Sequence, residues 1–348
     1  MKSSKKQILW SLIFLVLVAL TVYMVINQRE SFSLRGFIGY VSRASWQWIA
    51  LAFVGMMGFV VFEGLALVVL SNAFDYKTRP TRGILYSAPD IYFSAITPSA
   101  TGGQPASAYF MMKDGISGAA TTVILLVNLT LYTLAVIAIG LICFITNPQM
   151  FFGFSVLSKI MIIVGFTFQF ILVAVFLLLV YKEKIVMKIA TFLMNLLGKM
   201  HLMHNIEKRQ KHLIEVEKQY KECADAIKNH KKSIAIAFLF NFLQRVSQIL
   251  VSVCVFIGVG GGVRRAFDAF AAQGYVAIGS NSVPIPGAVG AADYLFIDGF
   301  GNLIPDAVSI ELLSRGISFY CCITICGIIT LVAYLSKGLK GMRRKKRC

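Results

Sequence analysis

Arg245 lies about twelve residues into an apolar run, which at about 1.5 Å per residue is near mid-bilayer if that run spans a membrane. A guanidinium there costs about 2.5 kcal/mol or more, so it must face the protein interior and find a partner. Two chemistries fit. One is an internal ion pair with Glu63 or Asp293. The other is a clasp on a lipid phosphate, which a guanidinium can make with two parallel hydrogen bonds. Asn241, Arg245, Gln248 and Ser252 recur at i, i+4, i+7 and i+11, so they share one helix face. Glu63 is a second costly charge, inside another apolar run, and Asn128 and Gln169 add isolated amides to two more. Glu311 and Arg315 stand one helical turn apart and read as a local ion pair.

Two further stretches hold the wrong residues for an unbroken membrane helix. Ile96–Gly118 carries two prolines and four glycines among small polar residues, and Ser282–Gly301 has the same character. Irregular backbone at membrane depth is tolerated only where protein buries it or where it lines a polar cavity. In each stretch a short helix is expected just after the Pro-Gly tip, over Gln104–Lys113 and Ala291–Phe300. The first amides of a helix lack internal partners and carry partial positive charge, so each helix start would suit a phosphate. The candidate lipid-binding residues are therefore Pro98, Gly102, Gly103 and Gln104 at the first tip, and Pro286, Gly287, Gly290 and Asp293 at the second. Arg245, Asn241, Gln248 and Glu63 complete the set. Asp293 would either compensate its helix dipole or meet a cationic group or a proton.

No Ser-His-Asp set, phosphate-binding P-loop or dinucleotide fingerprint stands in the chain, so no catalytic residue and no cofactor is assigned. His201 and His204 sit at i,i+3 without an acidic or cysteine partner in register, so no metal is assigned. The seven cysteines form no CxxC pair, and Cys348 makes no prenylation box.

The elements that must position these residues are apolar. The chain has 348 residues, 57% hydrophobic and 14% charged, well outside the usual soluble range of about 25% charged. The fold class expected is an all-α polytopic membrane protein with about six spanning helices plus two re-entrant broken-helix hairpins. The spans expected are Ile8–Ile26, Trp46–Leu70, Ser117–Ile145, Leu157–Tyr181, Ser233–Val259 and Val308–Leu335. The first is read as an uncleaved helix, not a signal peptide. The broken elements fall over Tyr86–Gly115 and within residues 263–305. The chain then reads as one transmembrane domain, 1–348, with a basic amphipathic segment at 182–232.

Net charge is +18, and its distribution sets the topology. With both hairpins re-entrant, the N-terminus, residues 71–85, residues 182–232 and the C-terminus share one side with twenty-five Lys and Arg, against five on the other. The positive-inside rule places both termini in the cytoplasm of a multi-pass protein of the cell membrane. The first hairpin then enters from the cytoplasm and the second from outside. Their sequences run in parallel: Pro98-x3-Gly102 leads to Asp114-Gly115, and Pro286-x3-Gly290 leads to Asp298-Gly299. One motif inserted from opposite faces fits an inverted repeat. Pro and Gly would also recur simply because hairpin tips require them. Within 199–230, Ile206, Leu213, Val216, Tyr220 and Ile227 fall near heptad spacing, which suits a solvated helix on the membrane face, a homodimer contact or an anionic-lipid surface helix.

The run ITPSATGGQPASAYFMMKDGIS, with PIPGAVGAADYLF, resembles the lysylphosphatidylglycerol synthase transmembrane region, a flippase-like family. Thr97, Pro98, Ser99, Gly102, Gly103 and Pro105 match its first motif, with Gln104 where the family has an acid. Pro286, Gly287 and Gly290 match its second motif, with Ala288 for a glycine and Asp293 at the acid position. The resemblance covers nearly the whole chain. For bifunctional members it implies a membrane part that flips aminoacylated phosphatidylglycerol and a soluble domain that transfers the aminoacyl group from tRNA. The chain ends shortly after its last span, so the transferase domain is expected to be absent.

Two functions follow as expectations. The first is a translocator moving an anionic phospholipid, aminoacyl-phosphatidylglycerol or glycolipid between leaflets. The alternative is a phosphatidylglycerol lysyltransferase-type aminoacyl-lipid synthase, or its membrane subunit, working with a separate soluble enzyme. The partner expected in either case is membrane phospholipid, not nucleic acid.

Overall fold

The computed structural model describes residues 42, 44–97, 100–181, 225 and 229–345. The chain divides into two units, Met1–Ala44 and Ser45–Cys348, and the architecture that follows is that of the second. The expected first span, Ile8–Ile26, lies outside the described residues, as do Pro98, His201, His204 and nearly all of 182–232.

Every regular element among the described residues is helical. In chain order they are α1 (Trp46–Asn72), α2 (Pro80–Ile96), α3 (Gly103–Lys113), α4 (Gly118–Thr146), α5 (Pro148–Gly153) and α6 (Val156–Tyr181). Then come α7 (Lys231–Phe256), α8 (Ala266–Asn281), α9 (Ala291–Gly301), α10 (Ala307–Arg315) and α11 (Cys322–Lys345). A π-helical turn, Gly316–Cys321, joins the last two, and another, Ile257–Gly261, ends α7. Five helices are long and apolar enough to cross a membrane: Trp46–Asn72, Gly118–Thr146, Val156–Leu178, Lys231–Gly261 and Ala307–Ser336. The protein is thus an all-α, multi-pass membrane protein, and the five spans fall within three residues of their expected bounds.

The expected basic loop at 71–85 is shorter than its composition suggests. α1 runs on to Asn72 and α2 already begins at Pro80. Proline suits a first helical turn, because the N–H it lacks would have had no partner there. Ser117 starts α4 by accepting the Ala120 N–H at 3.2 Å, and Asn147 starts α5 by accepting the Met150 N–H at 3.3 Å.

α2 and α3 form one helical hairpin, and α8 and α9 form a second. The short helices α3 and α9 begin within one residue of the starts expected from the Pro-Gly tips. With 17, 11, 16 and 11 residues, none of the four arms covers a hydrocarbon core of about 30 Å. The first hairpin is closed at its base by Asp114, which accepts the Tyr86 hydroxyl at 3.0 Å and lies 3.5 Å from Arg82. That base adjoins the start of α4, where the Ser117 N–H donates to the Tyr76 hydroxyl at 3.2 Å. The second hairpin is anchored at the opposite end of α4. There Asn147 donates to Asp268 at 2.8 Å, and the Ser155 N–H donates to Asp298 at 2.9 Å. The two hairpins therefore have their bases at opposite ends of one spanning helix.

α7 packs along α1 more extensively than any other pair, and the hairpins flank this centre. The first lies against α1 and α11, the second against α4, α6 and α7. The α1–α2 crossing is made by Gly64 and Gly83. A Cβ on Gly64 would fall 2.6 Å from the Gly83 carbonyl carbon, and one on Gly83 would fall 2.5 Å from the Gly64 oxygen. Backbone meets backbone there, so neither position has room for a side chain.

Candidate functional site

The turn at Pro286–Ala288, the tip of the second hairpin, packs against α2 of the first. Behind this meeting point lies a cavity of about 890 Å³ whose wall includes both hairpins, α1, α4, α6, α7, α8 and α10. It is the size of pocket that holds a substantial ligand headgroup.

Arg245 lines it, 9% exposed. Its Nη1 donates to Gln248 Oε1 at 2.6 Å, and its guanidinium carbon stands 4.1 Å from the centre of the Tyr132 ring and 5.4 Å from that of Phe59. Stacking on a desolvated ring is worth about 2 kcal/mol, which offsets much of the cost of a cation at this depth. Among the described residues no carboxylate lies within ion-pair distance of Arg245, so neither pair considered from sequence, with Glu63 or with Asp293, forms. Its Nε keeps an unused donor.

Gln248 and Ser252 reach the cavity from the same face of α7, whereas Asn241 does not. Asn241 is fully buried one turn away, where its Nδ2 donates to Asn128 Oδ1 at 3.0 Å and to the Ala237 carbonyl at 2.9 Å. It ties α7 to α4. Glu63 does line the cavity, and its Oε2 accepts from Gln244 Nε2 at 3.0 Å.

At the first tip the Gly102 N–H donates to Thr97 Oγ1 at 2.9 Å, which tightens the turn into α3. Gln104 faces the cavity and donates from Nε2 to Asp90 Oδ2 at 3.0 Å. Ser94 donates to Asp90 Oδ1 at 3.1 Å. Gly103 makes this possible: a Cβ there would lie 2.1 Å from Asp90 Oδ1. So the hairpin whose motif carries an amide at position 104 gets its carboxylate from α2 instead.

At the second tip Gly287 lines the cavity, while Pro286 and Gly290 shape the turn around it. Gly287 and Gly290 have φ of 61° and 83°, a region glycine enters without strain. Asp293 sits in the first turn of α9, accepts the Gly290 N–H at 3.1 Å, and forms an ion pair with Arg315. Arg315 Nη2 also donates to the Gly287 carbonyl at 2.7 Å. Spacing pointed Arg315 towards Glu311, but its guanidinium braces the second hairpin. The carboxylate of Asp293 thereby takes up an amide that an external anion would otherwise use.

Sequence reasoning passed over Asp90, Gln244, Tyr132 and Gln273. Asp90 did carry a signal, as a lone acid beside Pro89 in the apolar run LYSAPDIYF. The cavity wall also bears polar atoms with no partner: both amide atoms of Gln169, Oε1 of Gln244 and of Gln273, and Nε of Arg245 and of Arg315. Unpaired buried polar atoms cost about 1–3 kcal/mol each, so a wall with this many is built to meet something polar. Among the described residues no three His, Cys, Asp or Glu side chains gather as a metal site requires.

Comparison with known proteins points one way. The family described as "Lysylphosphatidylglycerol synthase TM region" matches residues 7–326. A "UPF0104 membrane protein" of Archaeoglobus fulgidus is 21% identical over 278 residues, covering 77% of this chain and 80% of that protein. No solved structure matches the chain.

Proposed function

The chain belongs to the lysylphosphatidylglycerol synthase transmembrane region family, and from that membership we propose that it is a lipid translocator. It moves an anionic phospholipid, an aminoacyl-phosphatidylglycerol or a glycolipid between leaflets. The observation that carries this reading is the cavity between the two hairpin tips, an apolar wall set with polar side chains, with Arg245 unpaired by any carboxylate in it. A headgroup crossing a bilayer needs polar partners at mid-depth, and its phosphate needs a cation that is not already neutralised.

In this reading both hairpins are re-entrant, the first from the cytoplasm and the second from outside. Their short arms and their bases at opposite ends of α4 support it. Both termini lie in the cytoplasm of the cell membrane, and the chain works as one transmembrane domain. The lipid phosphate meets Arg245, displacing Gln248 from Nη1 and using the free Nε. The amides of Gln169 and Gln273 and the carboxyl groups of Glu63 and Asp90 receive the hydroxyls or ammonium of the headgroup. Phe168, Leu172 and Phe176 of α6 give the wall an apolar flank for the first carbons of the chains.

The test is leaflet exchange of labelled phosphatidylglycerol and lysylphosphatidylglycerol in liposomes holding the purified protein, beside Arg245→Ala. Exchange by the wild type alone is expected. Absence of exchange of either lipid, and of an anionic glycolipid, would remove the translocator reading.

A further inference from the structure

Two carboxyl groups in the cavity wall face one another. Glu63 comes from α1 and Asp90 from α2, and their side chains are close enough to share a hydrogen bond. Both are buried, at 7% and 4% exposure. The donors that hold them are all neutral: Gln244 for Glu63, and Ser94 and Gln104 for Asp90. The other titratable or charged groups facing the pair are Arg245 from α7, Tyr132 from α4, and Cys322 and Cys326 from α11. Glu311 and Arg315 of α10 line the same cavity, with Arg315 held by Asp293.

One cation, outside ion-pair distance, serves two carboxyls. Two carboxylates in contact and out of water do not both ionise, because each loses hydration and repels the other. A second observation marks the spot as one that exchanges a ligand. Gln244 is 1% exposed, its Nε2 is committed to Glu63, and its Oε1 lines the cavity with no donor to accept from. An acceptor beside the pair is what a hydrated proton, or a headgroup hydroxyl, requires on its way in.

We propose that Glu63 and Asp90 hold one exchangeable proton between them, and that this proton travels with the lipid as its co-substrate. The proposal rests on the translocator reading and adds its driving force. With one proton bound, the pair carries a single negative charge, which Arg245 balances across the cavity. When a lipid phosphate takes Arg245, the pair loses that balance and holds its proton more tightly. When the phosphate leaves, the cation is restored to the pair and the proton can go. Lipid phosphate and proton therefore bind together and leave together, so they move in the same direction. One proton enters from one side and departs to the other for each lipid carried, and no covalent bond changes.

Two measurements on the full chain test this. The first is infrared difference spectroscopy in lipid bilayers, reading the carbonyl band of a protonated carboxyl at neutral pH. The wild type should show it, and both Glu63→Gln and Asp90→Asn should shift or lose it, because the proton no longer lies between two carboxyls. If one variant fails to fold, the other carries the comparison. A wild type without the band, or variants that keep it unshifted, overturns the shared proton.

The second is movement of labelled phosphatidylglycerol, lysylphosphatidylglycerol and an anionic glycolipid under an imposed pH gradient. Label should accumulate in the leaflet facing the alkaline side, and reversing the gradient should reverse the accumulation several-fold. Exchange that ignores the gradient overturns the coupling and leaves translocation standing. No exchange under any gradient overturns translocation, and the coupling with it.

Discussion

Gly103→Ala gives the sharpest test of how the first hairpin is built. The new methyl would lie 2.0 Å from Ser94 Oγ, 2.1 Å from Asp90 Oδ1 and 2.6 Å from the Asp90 carbonyl oxygen. The two side-chain atoms can swing aside, but the carbonyl belongs to α2 and cannot. Restoring ordinary contact moves the start of α3 away from α2 by about 0.8 Å. That stretches the Gln104–Asp90 bond from 3.0 Å to about 3.8 Å, which is no longer a hydrogen bond.

The cost has two parts. Overpacking contributes about 1–3 kcal/mol, and loss of a hydrogen bond to a buried carboxyl contributes about 1.5–3 kcal/mol. In detergent micelles or nanodiscs, at about 2–4 °C per kcal/mol, thermal unfolding should fall by about 5–25 °C. Gln104→Ala alone should lose the second part only. The double variant should then be little worse than Gly103→Ala, because the bond is already broken. A Gly103→Ala protein that melts with the wild type, or a double variant whose losses simply add, would refute the claim that Gly103 exists to bring Gln104 to Asp90.

Three further outcomes are expected. Arg245→Ala should abolish exchange of labelled phosphatidylglycerol while the purified protein keeps its wild-type elution volume; normal exchange by that variant would remove Arg245 from the path. Asp293→Asn and Arg315→Met should each destabilise the fold, and a double-mutant cycle read by thermal unfolding should give a coupling of about 1–3 kcal/mol for this partly buried pair; a coupling near zero would mean the pair does not brace the second hairpin. In a chain without native cysteines, a cysteine near residue 102 should resist a membrane-impermeant thiol reagent applied outside, and one near residue 264 should react readily; the reverse would overturn the proposed sidedness.

Most of the architecture could be read from residue types. The five described spans and the starts of α3 and α9 followed from apolar run length and from Pro-Gly placement, which are local properties. What escaped was side-chain reach between elements. Asp90 meets Gln104 only because the hairpin closes, and Arg315 meets Asp293 across a separation of 22 residues. Helical periodicity pointed Arg315 to Glu311 because that neighbour is certain from spacing alone. The polar face of α7 was legible as a set, yet Asn241 turned out to stand behind the cavity wall and bind Asn128, while Gln244, one residue before Arg245, proved to hold Glu63. Periodicity assigns a face and leaves open which neighbouring helix that face will meet.

The Gly64–Gly83 crossing has a mechanical consequence. Side chains between helices act as bearings, since they can change rotamer while the backbones slide. Where two backbones touch there is nothing to re-pack, so α1 and α2 cannot shear past one another at this point. Glu63 adjoins one of these glycines and Asp90 lies two turns beyond the other, so the two carboxyls ride on a single rigid plate. Any motion that opens the cavity must come from other parts of its wall, such as the π-helical turn Gly316–Cys321, which joins α10 to α11 and places Ser318 and Phe319 in that wall.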